Sequence, residues 1–430
     1  MTTETHVASA PTGTAGADPK RLRGMIAGTL GNTLEWYDFG AYGFLAAIFA
    51  KNFFPADDAF LGLLAAFGMF AASFFMRPLG GILFGDIGDR FGRRRALYLS
   101  AMLMTVSTVG IGLLPTYAMA GALAPVMLLL MRLLQGISVG GEQIMSVVYL
   151  AEGAPPARRG LIASLATFGA NTGTLLGSAV GAVVAATLTA EQLVDWGWRL
   201  PFLAGILLGG VALVLRSGLG PEAAGAKRQD PPLVEALRER GREIALGVAM
   251  TVAVGALFYL IFIYLTTYMQ QVDGMPARLA FEVNTASMLV LVVACCGFAA
   301  LGDRLGRKPV MLAGLVGLVL FTWPLFHMLG SGAPAAVLTA QVGFAVLISA
   351  YAGPMPAALV ELFHRDTRCT AYSLAWNFGV GWVGGLTPMV AVYLIHRFAS
   401  PMAPALLIIA LSAVSLLAVL RLRDRTGGPI

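Results

Sequence analysis

Four charged side chains stand inside stretches of this chain that are otherwise almost wholly apolar: Glu35 and Asp38 in the first, Arg132 and Glu142 in a later one. Glu35 and Asp38 are three residues apart, so on a helix they share a face. Two carboxylates confined together at low dielectric resist ionising at once, which turns at least one of them, Asp38 first, into a group that takes up and releases a proton. Arg132 cannot discharge and must have a partner. That partner would be Asp38 while a site is empty and a substrate carboxylate once it is filled, an exchange that ties proton to substrate. Glu142, ten residues further on, lies about 15 Å along the same helix and is a second proton site or part of an inner gate. The plainer reading of each is a static ion pair that orients helices.

Around these charges stand polar and aromatic side chains that would complete a substrate site. The amides of Gln135 and Asn171 need hydrogen-bond partners in apolar surroundings. In the second half of the chain, Tyr259, Tyr264 and Thr267, then Trp376 and Asn377, read either as substrate contacts or as packing.

The elements that carry these residues follow from composition. Of 430 residues, 57% are hydrophobic and 12% charged, a balance outside that of soluble domains. Apolar runs long enough for a bilayer helix fall at about 24–50, 58–84, 96–116, 121–150, 161–188, 199–217, 244–270, 280–301, 310–329, 335–358, 370–397 and 402–420. The net charge of +6 does not point to nucleic acid. All Lys and Arg except Lys51, Arg132, Arg199, Arg278 and Arg397 fall in the tails and alternate loops on one side, which puts both termini in the cytoplasm. The polar, Pro- and Thr-rich segment 1–20 reads as a disordered tail, and 218–242 as a linker with a short amphipathic helix near Leu233–Glu239. The three cysteines do not make a disulfide framework or metal site.

The charged hairpin Gly85, Asp89, Arg90, Gly92, Arg93, Arg94 recurs half a chain later as Asp303, Arg304, Gly306, Arg307, so the protein reads as two copies of one unit. The boundaries are 21–217 for the first, 243–423 for the second, and 424–430 for a cytoplasmic tail. These hairpins serve topology alone, or Asp89 and Asp303 accept hydrogen bonds from neighbouring helix ends and latch a cytoplasmic gate. Glu152, with Arg158 and Arg159, belongs to the same candidate network.

The first hairpin resembles the signature loop of the major facilitator superfamily, and Arg132-Leu133-Leu134-Gln135-Gly136 resembles its fourth-helix motif. Gly31 to Phe39, Met76-Arg77-Pro78, Gly140-Gly141-Glu142, Trp196 to Phe202 and Gly384 to Pro388 resemble the metabolite:proton symporter branch, which includes citrate, α-ketoglutarate, shikimate and proline/betaine transporters. The resemblance implies an all-α membrane protein of twelve transmembrane helices in two pseudo-symmetric six-helix bundles, working by alternating access in the inner membrane as a monomer. It implies import of a small organic acid with protons, driven by the proton gradient without a cofactor. Tyr259, Tyr264 and Tyr268, similar to the seventh helix of the citrate-transporting members, tilt the expectation to acids. A zwitterionic osmolyte such as proline or betaine is the alternative, favoured by an aromatic cation cage. From another class, a transporter-like membrane sensor remains open. No nucleophile–base pair, nucleotide loop or metal cluster suggests an enzyme or a pump.

Overall fold

The computed structural model describes residues 32–33, 35–55, 58–91, 93–139, 142–217 and 232–429. The described residues are helical, with turns and short loops between, and include no strand. A chain this apolar must satisfy its backbone hydrogen bonds within each segment, and the α-helix does so.

Among the described residues, ten helices are long and apolar enough to cross a membrane: α2 (Ala59–Phe84), α3 (Arg95–Leu113), α4 (Leu123–Glu152), α5 (Pro156–Thr187), α7 (Arg238–Gln271), α8 (Ala277–Leu305), α9 (Arg307–Leu329), α10 (Pro334–Leu362), α11 (Arg368–Phe398) and α12 (Ala403–Arg421). The other two expected spans are α1, described from residue 35 to 53 with a turn at Leu45, and α6 (Leu200–Ser217), whose apolar stretch is shorter. With these two, the described helices account for the twelve expected spans.

Linker residues 218–231 lie outside the described residues. The short helix expected near Leu233–Glu239 is present and is set off from α7 by a break at Arg240, whose φ of −125° and ψ of 19° are non-helical.

Small residues bring the helices close enough to share polar groups. In α5, a Cβ on Gly173 would run into the carbonyl of Thr33 on α1. In α4, a Cβ on Gly136 would run into the carbonyl of Ser73 on α2. Lipid tails are as apolar as the helices they surround, so close packing and interhelical hydrogen bonds hold such bundles together. Both halves meet along α5 with α8 and α2 with α11. Two π-helical segments, Tyr259–Tyr264 in α7 and Asn377–Gly384 in α11, widen their helices near the middle. Such bulges displace backbone carbonyls and re-aim side chains.

The C-terminal segment beyond α12 is not a free tail. It folds back beneath the bundle, where the N–H of Arg307 donates to Thr426 Oγ1 at 3.0 Å and Lys308 Nζ donates to the carbonyls of Leu420 and Leu422 at 2.7 and 2.9 Å. Asp424 accepts from Lys308 N at 3.1 Å and from Thr426 N at 3.0 Å. Partial burial raises its proton affinity, but hydrogen bonds from Thr426 and the Lys308 backbone overcome this and hold its carboxyl below the usual range.

Candidate functional site

Arg132 is fully buried, and among the described residues no carboxylate lies within ion-pair distance of it. Its direct pairing with Asp38, expected from the sequence, is absent. Nη1 donates to Gln135 Oε1 at 2.7 Å, one helical turn along α4, and Nη2 donates to Ser73 Oγ at 2.9 Å and the Phe70 carbonyl at 3.4 Å, both on α2. Asp38 is also buried, and its Oδ2 accepts from Thr108 Oγ1 of α3 at 2.5 Å. Thr108 in turn accepts from Gln135 Nε2 at 2.9 Å. The acid and the arginine are therefore linked through two neutral side chains.

Glu35 and Asp38 do not share one site. Glu35 Oε1 pairs with Arg77 Nη2 at 3.2 Å, both almost wholly buried. Arg77, grouped from the sequence with the cations of the tails and alternate loops, is thus a buried, paired residue. Its guanidinium carbon stands 5.5, 5.3 and 5.0 Å from the ring centres of Trp36, Phe39 and Phe74. That of Arg132 stands 5.2, 4.2 and 5.6 Å from Phe39, Tyr42 and Phe70. Desolvated cation–π contacts contribute about 2 kcal/mol each, so these rings replace part of the hydration both arginines lose.

From the other half, Tyr259 closes this group. Its ring stacks on Trp36 at 6.2 Å and meets Phe70 and Phe74 edge-on at 5.5 and 5.1 Å. Its buried hydroxyl has no hydrogen-bond partner among the described residues. A buried hydroxyl without a partner is disfavoured, and here it belongs to the ring that joins both halves beside the two arginines. Tyr264 packs edge-on against Phe67 at 5.6 Å, and Thr267 is buried with its hydroxyl likewise unpartnered. The remaining candidates lie apart from Arg132 in their contacts. Asn171 reaches Cys295 Sγ on α8 at 3.9 Å, Trp376 stacks on Tyr372, and Asn377 donates to Ser373 Oγ at 3.1 Å. Glu142 lies outside the described side chains.

A second constellation closes the end of the bundle that carries the C-terminus. Asp303 accepts the backbone N–H of Gly160 at 2.7 Å and that of Leu161 at 2.9 Å, capping α5 from the opposite half. Buried Glu361 on α10 bridges Arg159 of the first half, at 2.7 Å, and Arg307 of the second, which also reaches Asp303 at 3.2 Å. Glu152 pairs with Arg368. Arg159 Nη1 further donates to the Gly428 carbonyl at 2.9 Å, and Arg425 donates to that of Glu361 at 3.0 Å.

Of the cations expected in the gate, Arg158 and Arg304 are exposed and make no ion pair among the described residues, whereas Arg159 and Arg307 turn inward. Gly306, at φ +96°, supplies the left-handed turn between α8 and α9 that sets Arg307 beneath Glu361. Arg90 pairs only with Asp86 at 2.8 Å on its own exposed helix face. Gly85, Asp89, Gly92, Arg93 and Arg94 lie outside the described side chains.

Sequence reasoning missed Thr108, Ser73, Glu361, Arg368 and the C-terminal strap. Glu361 carried a usable signal as an acid closing an apolar run. Thr108 carried none, because hydroxyl residues in apolar helices ordinarily bond their own backbone.

Residues 24–222 and 228–420 match the family model described as "Sugar (and other) transporter". The chain is 31% identical over 428 residues to the proline/betaine transporter of Escherichia coli (strain K12), covering 96% of this chain and 85% of that protein. It is 30% identical over 428 residues to the proline/betaine transporter of Salmonella typhimurium (strain LT2), with the same coverage of both chains. The crystal structure of a D-xylose–proton symporter superposes with a TM-score of 0.76 at 20% identity, over 95% of this chain and 99% of that one.

Proposed function

Because the chain belongs to the sugar (and other) transporter family of the major facilitator superfamily, we propose that it imports a small zwitterion of the betaine or proline type together with protons. The observation that carries this reading is the pairing of the two buried arginines. Arg77 is neutralised by Glu35 at 3.2 Å, which leaves Arg132 alone without a carboxylate among the described residues. One guanidinium with no directly bonded carboxylate among the described residues matches one substrate carboxylate, not two or three. The rings of Phe39 and Phe70 beside it, and those of Trp36, Phe74 and Tyr259 packed next to them, supply aromatic surface for a substrate cation. The proline/betaine names of the relatives support the same class, and the expectation of an organic acid gives way to it.

In this reading Asp38 takes the proton, Arg132 receives the carboxylate, and the hydroxyl of Tyr259 provides a second donor. Glu35 serves as the fixed counter-ion of Arg77. Protonating Asp38 removes the negative charge linked to Arg132, which favours an anionic group there. Both termini lie in the cytoplasm of a cell whose inner membrane holds the protein, so the network of Asp303, Glu361, Arg159 and Arg307 closes the cytoplasmic side. Breaking that network and opening the opposite contacts gives alternating access, in a monomer driven by the proton gradient and without a cofactor.

A panel of glycine betaine, proline, citrate, α-ketoglutarate and shikimate tests the substrate class by thermal shift and by counterflow in proteoliposomes. Stabilisation and counterflow with a zwitterion are expected. A response to a tricarboxylate alone overturns the reading, and binding without counterflow identifies a sensor.

A further inference from the structure

We infer that Thr108 and Gln135 form a hydrogen-bond relay whose direction reverses when Asp38 is protonated, releasing Arg132 to take the substrate. This rests on the reading above, in which Asp38 takes the proton and Arg132 the carboxylate. Three bonds connect them: Arg132 Nη1 to Gln135 Oε1 at 2.7 Å, Gln135 Nε2 to Thr108 Oγ1 at 2.9 Å, and Thr108 Oγ1 to Asp38 Oδ2 at 2.5 Å.

The two ends fix the direction of every bond. A guanidinium only donates, so Gln135 must present its oxygen to Arg132 and its NH2 to Thr108. The hydroxyl, having accepted there, donates onward, and a carboxylate only accepts. A proton on Oδ2 turns that end into a donor. Thr108 then accepts from Asp38 and directs its hydrogen to Gln135, whose amide must turn over to accept it. Its NH2 now faces Arg132 donor against donor, and Nη1 is released.

Meanwhile Nη2 remains held by Ser73 and the Phe70 carbonyl. The guanidinium therefore stays in place with a free donor edge, which a carboxylate can occupy. Proton and substrate each favour the other's binding by the same factor.

Little else near Asp38 competes for this role. The charged and titratable groups that face it are Arg132 from α4 and its neighbour Tyr37 on α1. From α3 it meets Thr108, and from α6 Gly205, which has no side chain, lies beside it. The Tyr37 hydroxyl is committed to the Pro201 carbonyl at 2.9 Å. Thr108 and Gln135 are thus positioning residues, acting through Asp38 and Arg132.

The test compares the full-length protein with its Thr108→Val, Thr108→Ser and Gln135→Leu variants in two measurements. The first is the affinity for glycine betaine and for proline at about pH 5.5 and about pH 7.5, where uptake of one proton with the substrate tightens binding by up to roughly tenfold per pH unit. The relay predicts that Thr108→Val and Gln135→Leu abolish this pH dependence and that Thr108→Ser restores it. A merely structural role would weaken binding equally at both pH values, and retention of the wild-type ratio in both variants overturns the inference.

The second measurement needs no substrate. The infrared band of the protonated Asp38 carboxyl, assigned by its loss in Asp38→Asn, is expected to shift in Gln135→Leu although Gln135 does not touch Asp38. An unshifted band contradicts the relay. If the wild type binds neither compound at either pH, the substrate reading has failed, and the infrared result still decides the relay.

Discussion

Asp303 and Gly160 face each other across the two halves of the bundle, the carboxylate of one taking the backbone N–H of the other at 2.7 Å. Hydrogen bonds to a charged group contribute about 1.5 to 3 kcal/mol each, and this one joins the N-terminus of α5 to the last turn of α8. Asp303→Ala is therefore expected to shift the protein toward its cytoplasm-open state. Cys296, half-buried beside Ser164 at 3.8 Å in the same seam, is a native reporter. In a Cys369→Ser background, its alkylation from the cytoplasmic side should quicken by roughly tenfold or more, the population change that such an energy gives. An unchanged rate would mean that the contact does not hold the gate.

The Glu35–Arg77 pair supports the fold in this account and does not carry the transported proton. Glu35→Gln leaves a buried guanidinium uncompensated, which costs about 3 to 5 kcal/mol, so a large fall in melting temperature is expected. Glu35→Gln combined with Arg77→Met should recover most of it. A Glu35→Gln variant as stable as wild type, with its proton dependence lost, would reassign the proton to Glu35.

Tyr259→Phe separates ring from hydroxyl. Since the hydroxyl is buried without a partner among the described residues, its removal is not expected to lower the melting temperature of the ligand-free protein. Affinity for glycine betaine should fall by about five- to tenfold, the effect of one lost hydrogen bond of about 1 to 1.5 kcal/mol. Unchanged affinity would remove Tyr259 from the substrate site.

Outside the membrane, the turn between α7 and α8 contains one strained charge. Burial pushes the Asp273 carboxyl up to about 6, above its unfolded value of about 3.9. The fold thus favours the protonated form, and the associated stability is complete below about pH 4 and lost as pH rises through about 6. Asp273→Asn should stabilise the fold at neutral pH by less than about 1 kcal/mol after solvent screening, seen as a higher melting temperature, and have no effect near pH 4. Equal effects at both pH values would refute this.

How far the sequence could be read depended on how local each signal was. The spans were legible because each is a continuous apolar run, and the repeated Asp303 motif because its charges interrupt two such runs. The burial of Arg77 was not legible because it follows the apolar face of α2 near a helix turn at Met76, where hydropathy cannot distinguish a loop cation from a buried one. Its depth is decided by Glu35 on another helix, 42 positions away. The partners of Asp38 and Arg132 were hidden for the same reason, since Thr108 becomes visible only when α3 is packed against α1. The gate's cations, Arg159 and Arg307, could not be told from their exposed neighbours Arg158 and Arg304, because helix phase chooses between them.

Proton-driven uptake by reconstituted protein tests the account most directly. Proteoliposomes containing wild type or Asp38→Asn would be given labelled glycine betaine or proline, with and without an inward proton gradient. The account predicts that the gradient drives accumulation by wild type, and that Asp38→Asn exchanges substrate in counterflow yet accumulates none in response to the gradient. Gradient-driven accumulation by Asp38→Asn at the wild-type level would contradict it.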